Sequence, residues 1–236
     1  MSRLVVLCLT RIAACVAVGA VGSFPVLVRA QPAPSPSATA SPFTAPSGVS
    51  AEAVLEQFAA AWSRVTAYKA TVTVFERKDA QVQNIVFDYT FRKPSSVTVH
   101  VDAGPNAGVT MVWDGGTTVV AHRGSGLAAL FKKTFALHDP QATTIRGSSI
   151  DQLSFGAILA HAQQEAGKLT ETAQADIGGV GITAVMLMSA DPAADAGLTR
   201  EIVELSTSTH LPVQVLGYDG ATLVRQIGFS NVVVEL

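Results

Sequence analysis

NIVFDYTFRKPSSVTVHV, residues 84–101, decides how this chain folds. Up to Phe91 the side chains alternate: Ile85, Phe87, Tyr89 and Phe91 point one way, while Val86, Asp88, Thr90 and Arg92 point the other. The alternation resumes at Val97, with Val97, Val99 and Val101 set against Thr98, His100 and Asp102. A period of two belongs to strands that bury one face. Between the two runs stands Arg92-Lys93-Pro94. Proline has no N–H to give a ladder and sits at strand starts or edges, so the chain turns a corner there and the runs become antiparallel neighbours.

The same period extends outward. VTMVWDGGTTVVAH, residues 109–122, reads as two strands joined at Asp114-Gly115-Gly116, residues that tolerate positive φ. Strand character returns over 169–177, 181–189, 200–208, 212–218 and 221–235, with a second hairpin turn at Tyr218-Asp219-Gly220. Two helices are expected. The first follows Ser50 as N-cap and places Val54, Leu55, Phe58, Trp62 and Val65 at helical spacing. The second starts from a capping box, Ser149 with Gln152, carries Ile150, Leu153, Ile158 and Leu159, and ends at Gly167. The 124–147 connection has a weak pattern, and LAALFKKTFAL reads equally as strand, helix or covering loop. The fold class is mainly β (α+β): an incomplete, curved antiparallel barrel of about ten strands closed by two helices. There is no βαβ alternation, which argues against a parallel nucleotide-binding sheet.

The N-terminus is different in kind. Residues 1–30 contain Arg3, Arg11 and Arg29, no acid, and an apolar run from Ile12 to Val28 that exits at Ala30. This is the pattern of a secretory signal peptide. Residues 31–48, QPAPSPSATASPFTAPSG, form a Pro/Ala/Ser-rich linker with little to bury, and the folded domain is expected over 49–236. The expected location is exported, periplasmic or extracellular. Two anchored forms are the alternatives: lipid attachment at Cys15 after Ile12-Ala13-Ala14, and an uncleaved N-terminus. Cleavage near Ala30 removes Cys8 and Cys15, the only cysteines, so no disulfide or cysteine metal site is expected in the domain. It also removes three of the 16 basic residues and none of the 18 acidic ones, leaving a net charge of −5. A mildly acidic domain without clustered cations is no nucleic-acid binder.

No catalytic constellation emerges. His100, His122, His138, His161 and His210 fall at no metal-ligand spacing, so no metal is expected. His122-Arg123-Gly124-Ser125-Gly126 reads as a glycine-rich loop, not as a nucleophile elbow. Asp191, Asp195, Glu201 and Glu204 read as turn or exposed-strand acids, which are normally solvated. No phosphate loop precedes a helix, and no cofactor is expected.

The apolar inventory says more. Ten strands and two helices enclose more inward surface than the helices fill, and Ile85, Phe87, Tyr89, Phe91, Val97, Val99, Met111, Trp113, Met186 and Met188 are the candidates to line a ligand cavity. The order of helix, paired strands, RKP-SSVTV, VWDGG-TTVVAH, a helix and THLPVQVLGYDG resembles the LolA/LolB-like periplasmic lipoprotein-carrier superfamily over residues 49–235. The resemblance implies a half-barrel with a hydrophobic cavity for acyl chains. It also implies a latch: in LolA-type carriers an arginine before the strand-breaking proline bonds backbone carbonyls of the helical lid. Lys93 holds that position here and Arg92 precedes it, so both are candidate rim or lid contacts. Arg92, on the face opposite Phe91, reads as a solvated charge.

The expected function is therefore a non-enzymatic, monomeric cell-envelope carrier that binds a lipid or acylated ligand, including a lipoprotein. The alternative is an envelope sensor or interaction module with a filled core and a protein partner.

Overall fold

The computed structural model describes residues 48–124, 130, 132–165, 169–177 and 179–236. The signal-peptide expectation, the linker up to Ser47, Ser125-Gly126 and the helix end expected at Gly167 lie outside these residues.

Helix α1, Ala51–Arg64, begins where Ser50 Oγ accepts the N–H of Ala53, and buries Val54, Leu55, Phe58 and Ala61 along one stripe. Eleven strands follow, all antiparallel: β1 Ala67–Lys78, β2 Gln81–Arg92, β3 Ser96–Ala103, β4 Val109–Trp113, β5 Thr118–Arg123, β6 Lys132–Ala136, β7 Leu169–Ile177, β8 Val180–Met188, β9 Arg200–Ser206, β10 Pro212–Asp219 and β11 Thr222–Glu235. They form one sheet in the order β6-β5-β4-β3-β2-β1-β11-β10-β9-β8-β7. The strand β6 resolves the ambiguous part of the 124–147 connection that is described. β6 and β7 are the two edges and do not pair, so the barrel stays incomplete, as expected.

The corner at the opening stretch forms as its residues dictate. β2 pairs β3 from Val86↔Ala103 to Arg92↔Ser96, and Lys93-Pro94-Ser95 makes the turn, with a cis Lys93–Pro94 bond. Alternation then sets one inner face, carrying Tyr68, Val72 and Val74 from β1, Phe87, Tyr89 and Phe91 from β2, Val97 and Val99 from β3, Val203 from β9, Val215 from β10 and Ile227 and Phe229 from β11, all buried.

Helix α2, Phe155–Gln164, packs on this face and starts later than expected. The Ser149–Gln152 contact is real, since Gln152 Oε1 accepts the N–H of Ser149 at 3.1 Å, but it closes only a turn. The working N-cap is Ser154, whose Oγ accepts the N–H of Ala157. Two buried tyrosines hold the helix entrance. Tyr68 Oη accepts the N–H of Phe155 at 3.2 Å, and Tyr89 Oη donates to the Ile150 carbonyl at 3.0 Å. Burial raises the pKa of both phenols, which therefore stay neutral and serve as fixed polar points within an apolar layer.

Candidate functional site

The inner face is filled at one part and open at another. Under the helices, Tyr68 stacks on Phe155 with ring centroids 4.2 Å apart, and Tyr89, Phe91 and Trp62 complete the aromatic cluster. Tyr89, Phe91 and Val97 are at most 3% exposed there, so they are core and line no opening. Among the described residues the layer covering β2 to β6 is the 137–153 connection, and a groove remains. Its inner compartment, about 70 Å³, is lined by Ile85, Phe87, Val99, Val101 and Met111 from the sheet and by Ile150 and Leu153 from above. Its outer compartment, about 520 Å³, runs over Val109, Met111, Ala121 and Phe135 beneath Pro140, Gln141 and Ile145. Gln83, Asn106, Met111, Gln141, Thr143 and Thr144 are walls of both.

The sequence-predicted cavity residues thus separate into three sets. Ile85, Phe87, Val99 and Met111 meet at the groove. Tyr89, Phe91 and Val97 are packed core, and Trp113 lies against that core with Nε1 donating to the Gly116 carbonyl at 2.6 Å. Met186 lies on the opposite sheet face beside Ala184, Ile202 and Leu216, and Met188, of the same parity, is 37% exposed. Neither methionine reaches the groove: β8 turns its even-numbered residues away from the core side, where Val185 and Leu187 point.

Lys93 closes the end of α1. Its Nζ donates to the carbonyls of Trp62 at 2.7 Å and Ser63 at 3.3 Å, and lies 4.4 Å from the Trp62 ring centroid. These are carbonyls at the negative end of the helix, where a cation is favoured. Lysine satisfies them as a point charge with several donors, without an arginine's planar fork. Arg92 instead faces away, 3.5 Å from the exposed Glu235 carboxylate. Lys93→Met is expected to cost about 1–2 kcal/mol in chemical denaturation, by removing a charged hydrogen bond and a cation–π contact. An unchanged midpoint would mean that α1 is held by its apolar stripe alone.

A second cavity, about 390 Å³, lies between α2, the 193–198 turn and β9 to β11. Glu201 stands in its wall, and burial corrects the reading of the acids. Glu201 and Glu204 are buried at 5% and 2% exposure, and so is Glu76, at 0%. Glu76 is the cross-strand partner of Arg225, Arg225 faces Gly217, and Gly217 faces Glu201. A Cβ at Gly217 would stand 3.1 Å from Arg225 Cβ and 3.0 Å from Leu198, so the glycine leaves the space across which Arg225 meets Glu201. His161 of α2 reaches the other Glu201 oxygen with Nε2 at 2.9 Å. Glu76 accepts from Ser148 Oγ at 3.0 Å and from the Arg146 N–H at 2.9 Å. Burial pulls the Arg225 guanidinium down to about 10, with Arg146 adding to the effect and Glu76 and Asp195 opposing it. On this wall Arg225 pairs with Glu201, and the Arg146 guanidinium donates to the carbonyls of Arg77 and Ala196, which is the arrangement of a structural polar network. The sequence does carry a signal for it: the inward series Tyr68, Ala70, Val72, Val74 runs straight on to Glu76.

No helix among the described residues is long and apolar enough to cross a membrane. No protein-family model matches the chain, and no curated protein matches it in sequence. Solved structures of similar shape include the Mycobacterium tuberculosis lipoprotein LppX, at 13% identity and a TM-score of 0.46, covering 78% of this chain and 96% of that one. LprF from Mycobacterium bovis matches at 12% identity and 0.44, covering 80% and 95%. A LolA superfamily protein from Nitrosomonas europaea matches at 11% and 0.36, covering 80% and 94%. At these identities the likeness is one of shape alone.

Proposed function

We propose that the protein is a non-enzymatic carrier or binding protein of the cell envelope that holds an acyl chain in the groove between β2 to β6 and the 137–153 connection. The observation that carries this reading is the groove itself. It is an opening floored by Ile85, Phe87, Val99, Val101 and Met111, and no charged side chain lines its inner compartment. Taken together, its two compartments fall within the ~300–1,000 Å³ span of small-molecule sites. An acyl chain supplies the matching chemistry, since each methylene taken from water contributes about 0.8 kcal/mol. The single covering layer gives it a way in. The connection is tied to the sheet by polar contacts along its length, among them Ile145 N–H to Gln83 Oε1 at 3.0 Å.

Titration calorimetry of the delipidated protein with monoolein, a single chain with an uncharged head, tests this. Saturable one-to-one binding is expected, weakened at least tenfold in Met111→Trp, which fills the wall shared by both compartments. No binding, together with a ligand-free mass for protein taken from its own host, would favour the filled-core interaction module instead.

A further inference from the structure

The groove has a sign. Its inner compartment is lined by no charged side chain, whereas the outer one is bordered by Arg123 and Lys133 and by no acid. Both cations come from the β5–β6 pair, in which Ala121 faces Lys133, His122 faces Lys132 and Arg123 ends β5. Alternation brings Arg123 and Lys133 to the inner side with Ala121 and Phe135, so they belong to the groove and not to the outer surface. The sequence is one-sided as well. From Gly115 to His138 there is no Asp or Glu, although acids outnumber bases in the whole chain. Among the described residues Arg123 makes no ion pair. Lys133 donates to Gln141 Oε1 at 3.0 Å and lies 4.5 Å from the Phe135 ring centroid, which holds its ammonium over the apolar floor. His122 borders the same compartment, and its Nδ1 is buried without a partner among the described residues.

We infer that the groove selects a single-chain amphiphile with an anionic head, a carboxylate or a phosphate, whose oxygens meet Arg123 and Lys133 while the chain runs inward over Met111 toward Phe87. This rests on the acyl-chain reading and specifies the head group it leaves open. The physical reason is complementarity. A guanidinium presents two parallel donors to an oxyanion, and a neighbouring ammonium adds a point charge. An uncharged head gains neither contact, and a cationic head is repelled. The volume favours one chain: the inner compartment is narrow, about 70 Å³, and shares the walls Met111, Gln83 and Gln141 with the outer one.

The test compares oleate with monoolein, which share a chain and differ in head charge, and adds oleylamine as the cationic case. Oleate is expected to bind ten- to a hundredfold more tightly than monoolein, and oleylamine more weakly than either. Raising the salt from 20 mM to about 500 mM is expected to shrink the oleate advantage, because the two cations are exposed and screened. In R123Q/K133Q the oleate-to-monoolein affinity ratio is expected to fall to about one. Using the ratio cancels any general loss of groove shape, and far-ultraviolet circular dichroism checks folding. Equal binding of oleate and monoolein by the unaltered protein, or a ratio that survives R123Q/K133Q, overturns the head-group assignment and leaves the acyl-chain reading standing. Failure of all three amphiphiles to bind overturns both.

Discussion

Arg225→Met is expected to lower the free energy of unfolding by about 3–5 kcal/mol, the cost of leaving buried carboxylates without their cation. The regime is that of a buried pair and not of a surface one, because the Arg225 and Glu201 side chains are 16% and 6% exposed. The substitution leaves Glu201 with His161 alone among the described residues, and leaves Glu76 facing a thioether across the β1–β11 pair. Adding Glu201→Leu to Arg225→Met is then expected to recover part of the loss. Removing both members of a desolvated pair removes the uncompensated charge as well as the bond. Urea denaturation of the two single variants and the double variant measures this as a coupling energy. Single losses below about 1 kcal/mol would show that water reaches the network and that the cavity beside it is a hydrated mouth.

The second large effect is a pH dependence set by Glu204. This carboxylate lies on the face away from the main core, cross-strand from Ala184 and Gln214, and Gln214 Nε2 donates to it at 3.3 Å. One neutral donor does not replace its water, and burial pushes its pKa up to about 7. The folded value is above the unfolded one, so the folded state favours the protonated acid. Stability is therefore full below about pH 4.5 and is lost as the pH rises through about 7. At about 1.4 kcal/mol per pK unit the loss is at most about 3 kcal/mol. Glu204→Gln keeps a neutral group of the same shape. It is expected to flatten the profile between pH 4.5 and 7 and to raise the melting temperature above pH 7. Parallel melting curves for the two proteins at pH 5 and pH 8 would rule Glu204 out as the source.

How much of this was legible in the sequence depended on whether a residue's fate was decided locally. The alternation over residues 84–101 and the proline between its halves were enough to place β2, β3 and the corner, because strand period and the missing N–H act within a few residues. The start of α2 was misplaced because Ser149 and Gln152 do bond, yet Ser154 offers the same cap nearer the stripe that packs, and packing chooses. Alternation set the face of Ile85, Phe87, Tyr89 and Phe91 but not the cover. Whether α2 or the thinner 137–153 connection lies above them separates core from groove, and that is settled by segments about 60 residues away. The acids were the largest surprise. Glu201 and Glu204 sit three residues apart within REIVELS, on opposite faces of β9, and an acid in a strand ordinarily faces water. Glu201 is buried under His161 of α2 and Arg225, across the missing side chain at Gly217, and Glu204 lies between Ala184 of β8 and Gln214 of β10. The cationic pair at the groove was visible as letters, but only the β5–β6 register turns it toward the opening.

The place of β1 against β11 has one more consequence. Each half of the sheet, β1 to β6 and β7 to β11, is a meander whose strands pair with their neighbours along the chain, and the halves are joined within the sheet only where β1 meets β11. At its end Thr66 donates its N–H to the Glu235 carbonyl, 169 residues away. The molecule is thus two local zips and one distant seam. Either zip can form from near neighbours, but the seam must wait for both, so it carries the slow, long-range part of folding. Until it closes, β1 and β11 are long bare edges bearing Val72, Val74, Ile227 and Phe229, the kind of edge that recruits a foreign strand. That interval is the one in which an escort matters most.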